Sequence, residues 1–231
     1  WHTCPAGGDI RASNPCSEYM FLDDTACNLA SANLLQFRGE DGVFDVEAFK
    51  HAVRLWTLVL EVSVMMAQFP SPQIAKLSYD YRTLGLGYAN IGGLLMTSGI
   101  PYDSDEGRAI CGAITAVMTG VSYATSAEIA RDLGPFPEYA NNRDSMLRVI
   151  RNHRRAAHGH ATGYEALSTV PVPLDHASCP ATPLVAHARA ACDRPLELRA
   201  THGYPTPPSP LTAPTAPAPP APTCHTPATL P

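Results

Sequence analysis

Three residues that could share one reaction stand close together near the beginning of the chain. Asn14, Cys16 and Glu18 alternate in Ser13-Asn14-Pro15-Cys16-Ser17-Glu18, and Cys27 follows eleven residues after Cys16. On an extended or looped backbone, side chains two apart share a face. One small surface would then carry a hydrogen-bonding amide, a sulfur nucleophile or radical carrier, and a proton acceptor. Pro15 removes a backbone donor and stiffens the approach to Cys16, which suits a loop tip better than a strand centre. The pattern points to sulfur chemistry on a substrate whose proton Glu18 takes, with a second thiol a short loop away.

Such a loop needs flanking elements. Residues 19–22 and 29–35 are short apolar runs and read as strand or barrel-lining pieces on either side of it. Asp45 is a good N-cap for a long helix in which Val46, Phe49, Val53, Trp56, Leu60 and Val64 recur at helical spacing. From Leu55 onward Leu58, Val62 and Met65 fill the other faces, so that half is expected to be buried on several sides. Pro70 and Pro72 end it. Further helices are expected at about residues 73–81 and 87–98. Another runs from an acidic cap at Asp103, with Glu106 three residues on, to Leu133 before Gly134-Pro135. A last one spans roughly 143–157, its basic end suited to the helix dipole. Residues 160–200 read as a mixed stretch with short apolar pieces.

Composition sets outer bounds. A chain of 231 residues can bury a real core as one domain or two small ones. A net charge of -5 calls for neither nucleic acid nor a membrane surface. Seven cysteines at irregular spacing, with no signal peptide in view, fit a reducing compartment, so a cytoplasmic setting is expected. The apolar run at 55–69 is interrupted by Glu61 and falls short of a membrane span. From residue 200 to the end there is no Asp, Glu, Lys or Arg, and 11 of the 23 prolines fall there. That segment is expected to be extended or disordered.

Several stretches match a known family. Asn14-Pro15-Cys16-Ser17-Glu18-Tyr19, Phe21-Leu22-Asp23 and Thr25-Ala26-Cys27-Asn28-Leu29-Ala30-Ser31 together resemble the active-site loop of the class II, adenosylcobalamin-dependent ribonucleotide reductases. The likeness continues through Arg82-Thr83-Leu84-Gly85-Leu86-Gly87-Tyr88 and Arg151-Asn152-His153-Arg154-Arg155-Ala156-Ala157. It is still visible at Pro173-Leu174-Asp175-His176-Ala177-Ser178-Cys179 and fades after His202-Gly203-Tyr204. The resemblance implies a middle slice of a longer enzyme, folded as part of a ten-stranded α/β barrel. Residues 1–204 would be partial barrel domain, with an active-site loop at 13–28 and a helical region at 45–157; residues 205–231 would be a Pro-rich tail.

The same resemblance implies roles. A radical derived from adenosylcobalamin would take the hydrogen atom of Cys16, and the thiyl would take the ribose 3′ hydrogen. Glu18 would act as base on the 3′ hydroxyl, and Asn14 would hold the ribose hydroxyls. Ser13 to Glu18 would form the substrate-binding segment: Ser13, Asn14, Pro15, Cys16, Ser17 and Glu18. Cys27 would be one half of a redox-active disulfide. The implied partners are a ribonucleotide, expected as the diphosphate, a thioredoxin-like or other dithiol reductant, a nucleotide effector and a second copy in a homodimer. Two departures stand out. The family's other redox cysteine lies far upstream, and Cys4 is too near to match it. The family's phosphate-binding turn follows Ala-Pro-Thr, but here Ala213-Pro214-Thr215 runs on into prolines that lack the needed N–H groups. An altered reading frame beyond about Tyr204 would account for the second.

Other readings are weaker. Gly85-Leu86-Gly87 with Gly92-Gly93 has the wrong spacing for a dinucleotide fingerprint, and close packing or a turn suits it better. Arg148, Arg151, Arg154 and Arg155 lack interleaved aromatics and read as a solvated helix end. His153, His158 and His160 are expected at the surface. His176, Cys179, His187 and Cys192 lack the paired C-x-x-C ligands of a zinc site. Cys111 reads as core. A Cys16–His hydrolase would have no use for Glu18 or Cys27. The alternative of another class is a truncated, non-catalytic remnant or interaction module.

Overall fold

The computed structural model describes residues 1–14 and 19–201. The expected tail at 205–231 lies outside the described residues. Among them the order is β1 (Asn28–Asn33), α1 (Val46–Met66), α2 (Pro72–Tyr81), β2 (Leu84–Ala89), α3 (Ile91–Thr97), α4 (Asp105–Leu133), α5 (Tyr139–Ala157) and α6 (Thr182–Thr201). Single 3-10 turns occur at Pro5–Gly7 and Leu34–Phe37. The strands β1 and β2 pair in parallel, Asn28 against Leu84 through Asn33 against Ala89. Parallel neighbours require a crossover, and α1 with α2 provides it. The class is α/β; the described residues hold two strands of a sheet, not a closed barrel.

Each helix begins where its sequence allows. The side chain of Asp45 caps α1 by accepting from Ala48 N–H at 2.9 Å. The hydroxyl of Ser71 caps α2 at Ile74 N–H, with Pro72 in the first turn, where no amide is needed. For α4 the cap is Ser104, which accepts from Gly107 N–H at 3.0 Å, and not Asp103, whose carboxylate pairs with Arg108. A hydroxyl one residue closer reaches the open amide, while an acid in Asp103's place finds a guanidinium instead.

Five other expectations are corrected. Residues 19–22 form no strand; Phe21 and Leu22 are buried in a cluster with Cys4, Tyr81, Tyr123, Phe136, Tyr139, Met146 and Ile150. The segment at 87–98 is not one helix, since its start belongs to β2 and only Ile91–Thr97 is helical. The helix expected at 143–157 starts at Tyr139, and the mixed stretch contains the 20-residue α6. The distal half of α1 is buried on one side only: Leu55, Trp56, Val59, Val62 and Met65 are exposed, Met65 at 66%. The buried stripe is Val46, Phe49, Val53, Thr57, Leu60, Glu61 and Val64.

The main core lies between the sheet and the helices. Ala32, Leu84, Leu86 and Tyr88 meet Phe49, Val53, Leu60, Ile114, Val117 and Met118 there, together with Leu184 and Ala188 of α6. Cys111 is in this core as expected, its sulfur 3.2 Å from the Tyr88 hydroxyl. Helix α4 is long and apolar enough to pass for a membrane span, but 78% of that window is buried inside the protein, which makes it a core helix. Its tightest contact is at Gly120, where an added Cβ would come within 2.4 Å of the Ala191 backbone of α6.

Candidate active site

Asn14 and Tyr19 grip each other across the segment between them. Asn14 N–H donates to the Tyr19 carbonyl at 3.3 Å, and Tyr19 N–H donates to Asn14 Oδ1 at 2.9 Å. These two bonds make the neck of the expected loop. Pro15, Cys16, Ser17 and Glu18 lie outside the described residues, so the shared face of Asn14, Cys16 and Glu18 stays an expectation. Ser13 Oγ donates to the Asn14 carbonyl at 3.0 Å.

The Tyr19 side chain reaches from this neck to the segment that carries Cys27. Its hydroxyl lies 2.7 Å from Thr25 Oγ1 and 2.9 Å from Thr83 Oγ1. Thr25 donates onward to the Leu22 carbonyl, and Thr83 to the Ala26 carbonyl at 2.9 Å. Ala26 N–H in turn donates to Ser78 Oγ at 3.0 Å. Both backbone groups of the residue before Cys27 are therefore held by hydroxyls from elsewhere in the fold. Burial pushes the Tyr19 hydroxyl up to about 12, so it stays a neutral phenol.

Cys27 is half-buried at the entry to β1, its sulfur 3.8 Å from the Asn28 carbonyl. Across the sheet stands Gly85. A Cβ there would sit 2.6 Å from Cys27 Sγ and 2.9 Å from the Asn28 carbonyl, so no side chain fits while the thiol keeps its place. This corrects the turn or helix-packing reading of Gly85-Leu86-Gly87: the stretch is strand, and its glycines make room on one face of the sheet. Side chains of Leu29, Ser31 and Asn33 are exposed there, opposite Gly85, Gly87 and Ala89 in register. The other face packs on the helices. One face covered by helices and one left open suit a strand pair that borders a cavity.

The remaining thiols have different surroundings. Cys4 is fully buried, and desolvation pushes it up to about 11. Cys192 donates to the Ala116 carbonyl and is pushed up to about 12 by the same cause. Cys179 is buried and also raised. Among the described residues no group of His, Cys, Asp and Glu could hold a metal; His176 bonds the Ala157 carbonyl instead. The basic helix end is engaged: Arg151 forks onto Glu165, Arg154 and His158 meet Asp193 of α6, and Arg148 donates to the His2 carbonyl. His153 is half-buried, not fully exposed. Its ring lies between Trp1, stacked at 4.7 Å, and Tyr123 at 6.0 Å.

Type and spacing assign no role to Tyr19, Thr25 or Thr83, and suggest only packing or a turn for Gly85. The signal lay in the hydroxyls bracketing Cys27 and in a glycine placed inside a strand.

Residues 1–178 match the family described as ribonucleotide reductase, barrel domain, and the chain belongs to that family. Among individual proteins, it is 74% identical over 205 residues to a vitamin B12-dependent ribonucleotide reductase of Agrobacterium fabrum, covering 88% of this chain. A protein of the same name from Bradyrhizobium diazoefficiens is 72% identical over 205 residues, again 88% of this chain. A vitamin B12-dependent ribonucleoside-diphosphate reductase of Mycobacterium tuberculosis is 29% identical over 148 residues, 64% of this chain and 21% of that protein. The chain spans only 16% of the length of the first two relatives.

Proposed function

We propose that this chain supplies the active-site loop and part of the barrel wall of an enzyme that reduces ribonucleotides to 2′-deoxyribonucleotides. The observation that carries the reading is the family match over residues 1–178, which includes the loop gripped by Asn14 and Tyr19 and the Cys27 segment tied to it. In this reading the Cys16 thiyl removes the ribose 3′ hydrogen atom, Glu18 accepts the 3′-hydroxyl proton, and Asn14 binds the ribose hydroxyls. The 2′ hydroxyl leaves as water. Cys27 and a partner thiol give up two electrons and two protons and become a disulfide, which an external dithiol of thioredoxin type reduces again. A sulfur radical needs a dry, enclosed site, and a loop tip inserted into a ten-stranded α/β barrel would give it one.

The relatives' names support adenosylcobalamin as the cofactor, which supplies the initiating radical when bound. A ribonucleoside diphosphate is proposed as substrate, on the name of the more distant relative. Nucleotide effectors, a homodimer and a cytoplasmic setting complete the proposal, with residues 1–204 as barrel domain and 205–231 as a separate tail.

The test is deoxynucleotide formation by the full-length protein with adenosylcobalamin and a dithiol. Replacing Cys16 by Ser is expected to abolish product while cobalamin binding is retained. A Cys16→Ser protein with undiminished turnover would refute the reading.

A further inference from the structure

Tyr19 reaches two separate parts of the fold through a single oxygen. Thr25 belongs to the loop before Cys27, and Thr83 precedes β2. The chain around Tyr19 is the loop neck, through its bonds to Asn14. One phenol therefore joins the segment carrying Cys16 to the segment carrying Cys27 and to the start of the neighbouring strand.

Counting protons shows how the joint behaves. Three hydroxyls bring three protons. The four contacts are Tyr19 with Thr25, Tyr19 with Thr83, Thr25 with the Leu22 carbonyl and Thr83 with the Ala26 carbonyl. Carbonyls only accept, so one contact always lacks a proton. Tyr19 donates to one threonine at a time, and the other threonine closes its contact to Tyr19 only by turning away from its own carbonyl. When Thr83 turns, the Ala26 carbonyl is released, next to Cys27. When Thr25 turns, the Ala26 carbonyl stays held.

We propose that Tyr19 is a positioning residue of the thiol chemistry: its hydroxyl, shared between Thr25 and Thr83, sets where the Cys27 sulfur sits relative to the loop that holds Cys16. The inference rests on the reductase reading above. Tyr19 touches neither substrate nor sulfur in this role; it acts through Thr25, Thr83 and the Ala26 backbone. A Tyr19→Phe change keeps the ring against Phe21, 6.1 Å away, and removes only the shared hydroxyl.

The experiment has two arms in the full-length protein. In steady-state deoxynucleotide formation, Tyr19→Phe is expected to lower kcat by about tenfold to a hundredfold with KM unchanged, because the ribose still binds while the second thiol is misplaced. Thr83→Val is expected to do the same, Thr83→Ser to keep wild-type turnover, and the Tyr19→Phe/Thr83→Val double variant to lose no more than either alone. In the second arm, alkylation of Cys27 by iodoacetamide, followed by mass spectrometry, is expected to be several-fold faster in Tyr19→Phe, with Cys4 and Cys192 unchanged. Wild-type kcat in Tyr19→Phe, or failure of Thr83→Ser to restore turnover, would overturn the proposal. If the wild-type protein forms no deoxynucleotide, the reductase reading fails, and equal Cys27 alkylation in both proteins would overturn the tether as well.

Discussion

At the scale of single residues, the chain's thiols differ in what surrounds them. Cys27 is half-buried beside a glycine, whereas Cys4 and Cys192 are buried and held protonated, at about 11 and about 12. The thiolate is the reactive form. Timed iodoacetamide labelling of the native protein near pH 8 is therefore expected to modify Cys27 well before either of the others. His153 behaves in the opposite sense to a surface histidine. Burial lowers it from 6.5 to about 4. Below about pH 6.5 the unfolded chain takes up a proton that the folded one refuses until about 4, so stability falls as pH drops through that window. A His153→Leu variant is expected to show a shallower loss of thermal stability across it. The roles proposed for Asn14, Cys16, Glu18 and Cys27 come from type and spacing, because each chemical role admits few residue types. Tyr19 and Gly85 were not, since a tether and a clearance show only when the chain is folded.

At the scale of elements, the best-read helices are those with a clear local stop or start. Asp45 and Pro72 mark theirs by side-chain geometry alone. Residues 87–89 read as the start of a helix because their spacing suits either period, and only the pairing of β2 with β1 decides for strand. Helix α6 was missed because its apolar stripe is weak and Pro195 sits inside it; the contact with α4 holds it in place. The join between α1 and β2 is an ion pair. Arg82, in a left-handed conformation at the end of α2, gives its Nε to Glu61 Oε1 at 2.7 Å and a further bond to the Glu61 carbonyl at 3.3 Å, with both residues buried. Removing one partner strands the other's charge. Glu61→Ala is expected to cost about 3–5 kcal/mol in urea unfolding. Glu61→Gln, which can still accept the bond, is expected to cost less.

For the molecule as a whole, the sequence conveyed the α/β class and the family, while the boundary between inside and outside stayed hidden. Helical spacing marks which residues of α1 are apolar but not which of them a neighbour covers. Leu55, Val59, Val62 and Met66 lie along one exposed line, with Met66 at 77%. The ten-stranded barrel stays a proposal: the described residues hold two paired strands, and the chain spans 16% of its first relatives' length.

The contact at Gly120 has a consequence in time. Because the α4 backbone rests directly on Ala191 and Cys192 of α6, with no side chain between them, neither helix can slide or breathe without separating from the other. The amides from about Ala116 to Ala124 are accordingly expected to be among the last to exchange with deuterated water, and to be released together with those around Ala191 in a single slow phase.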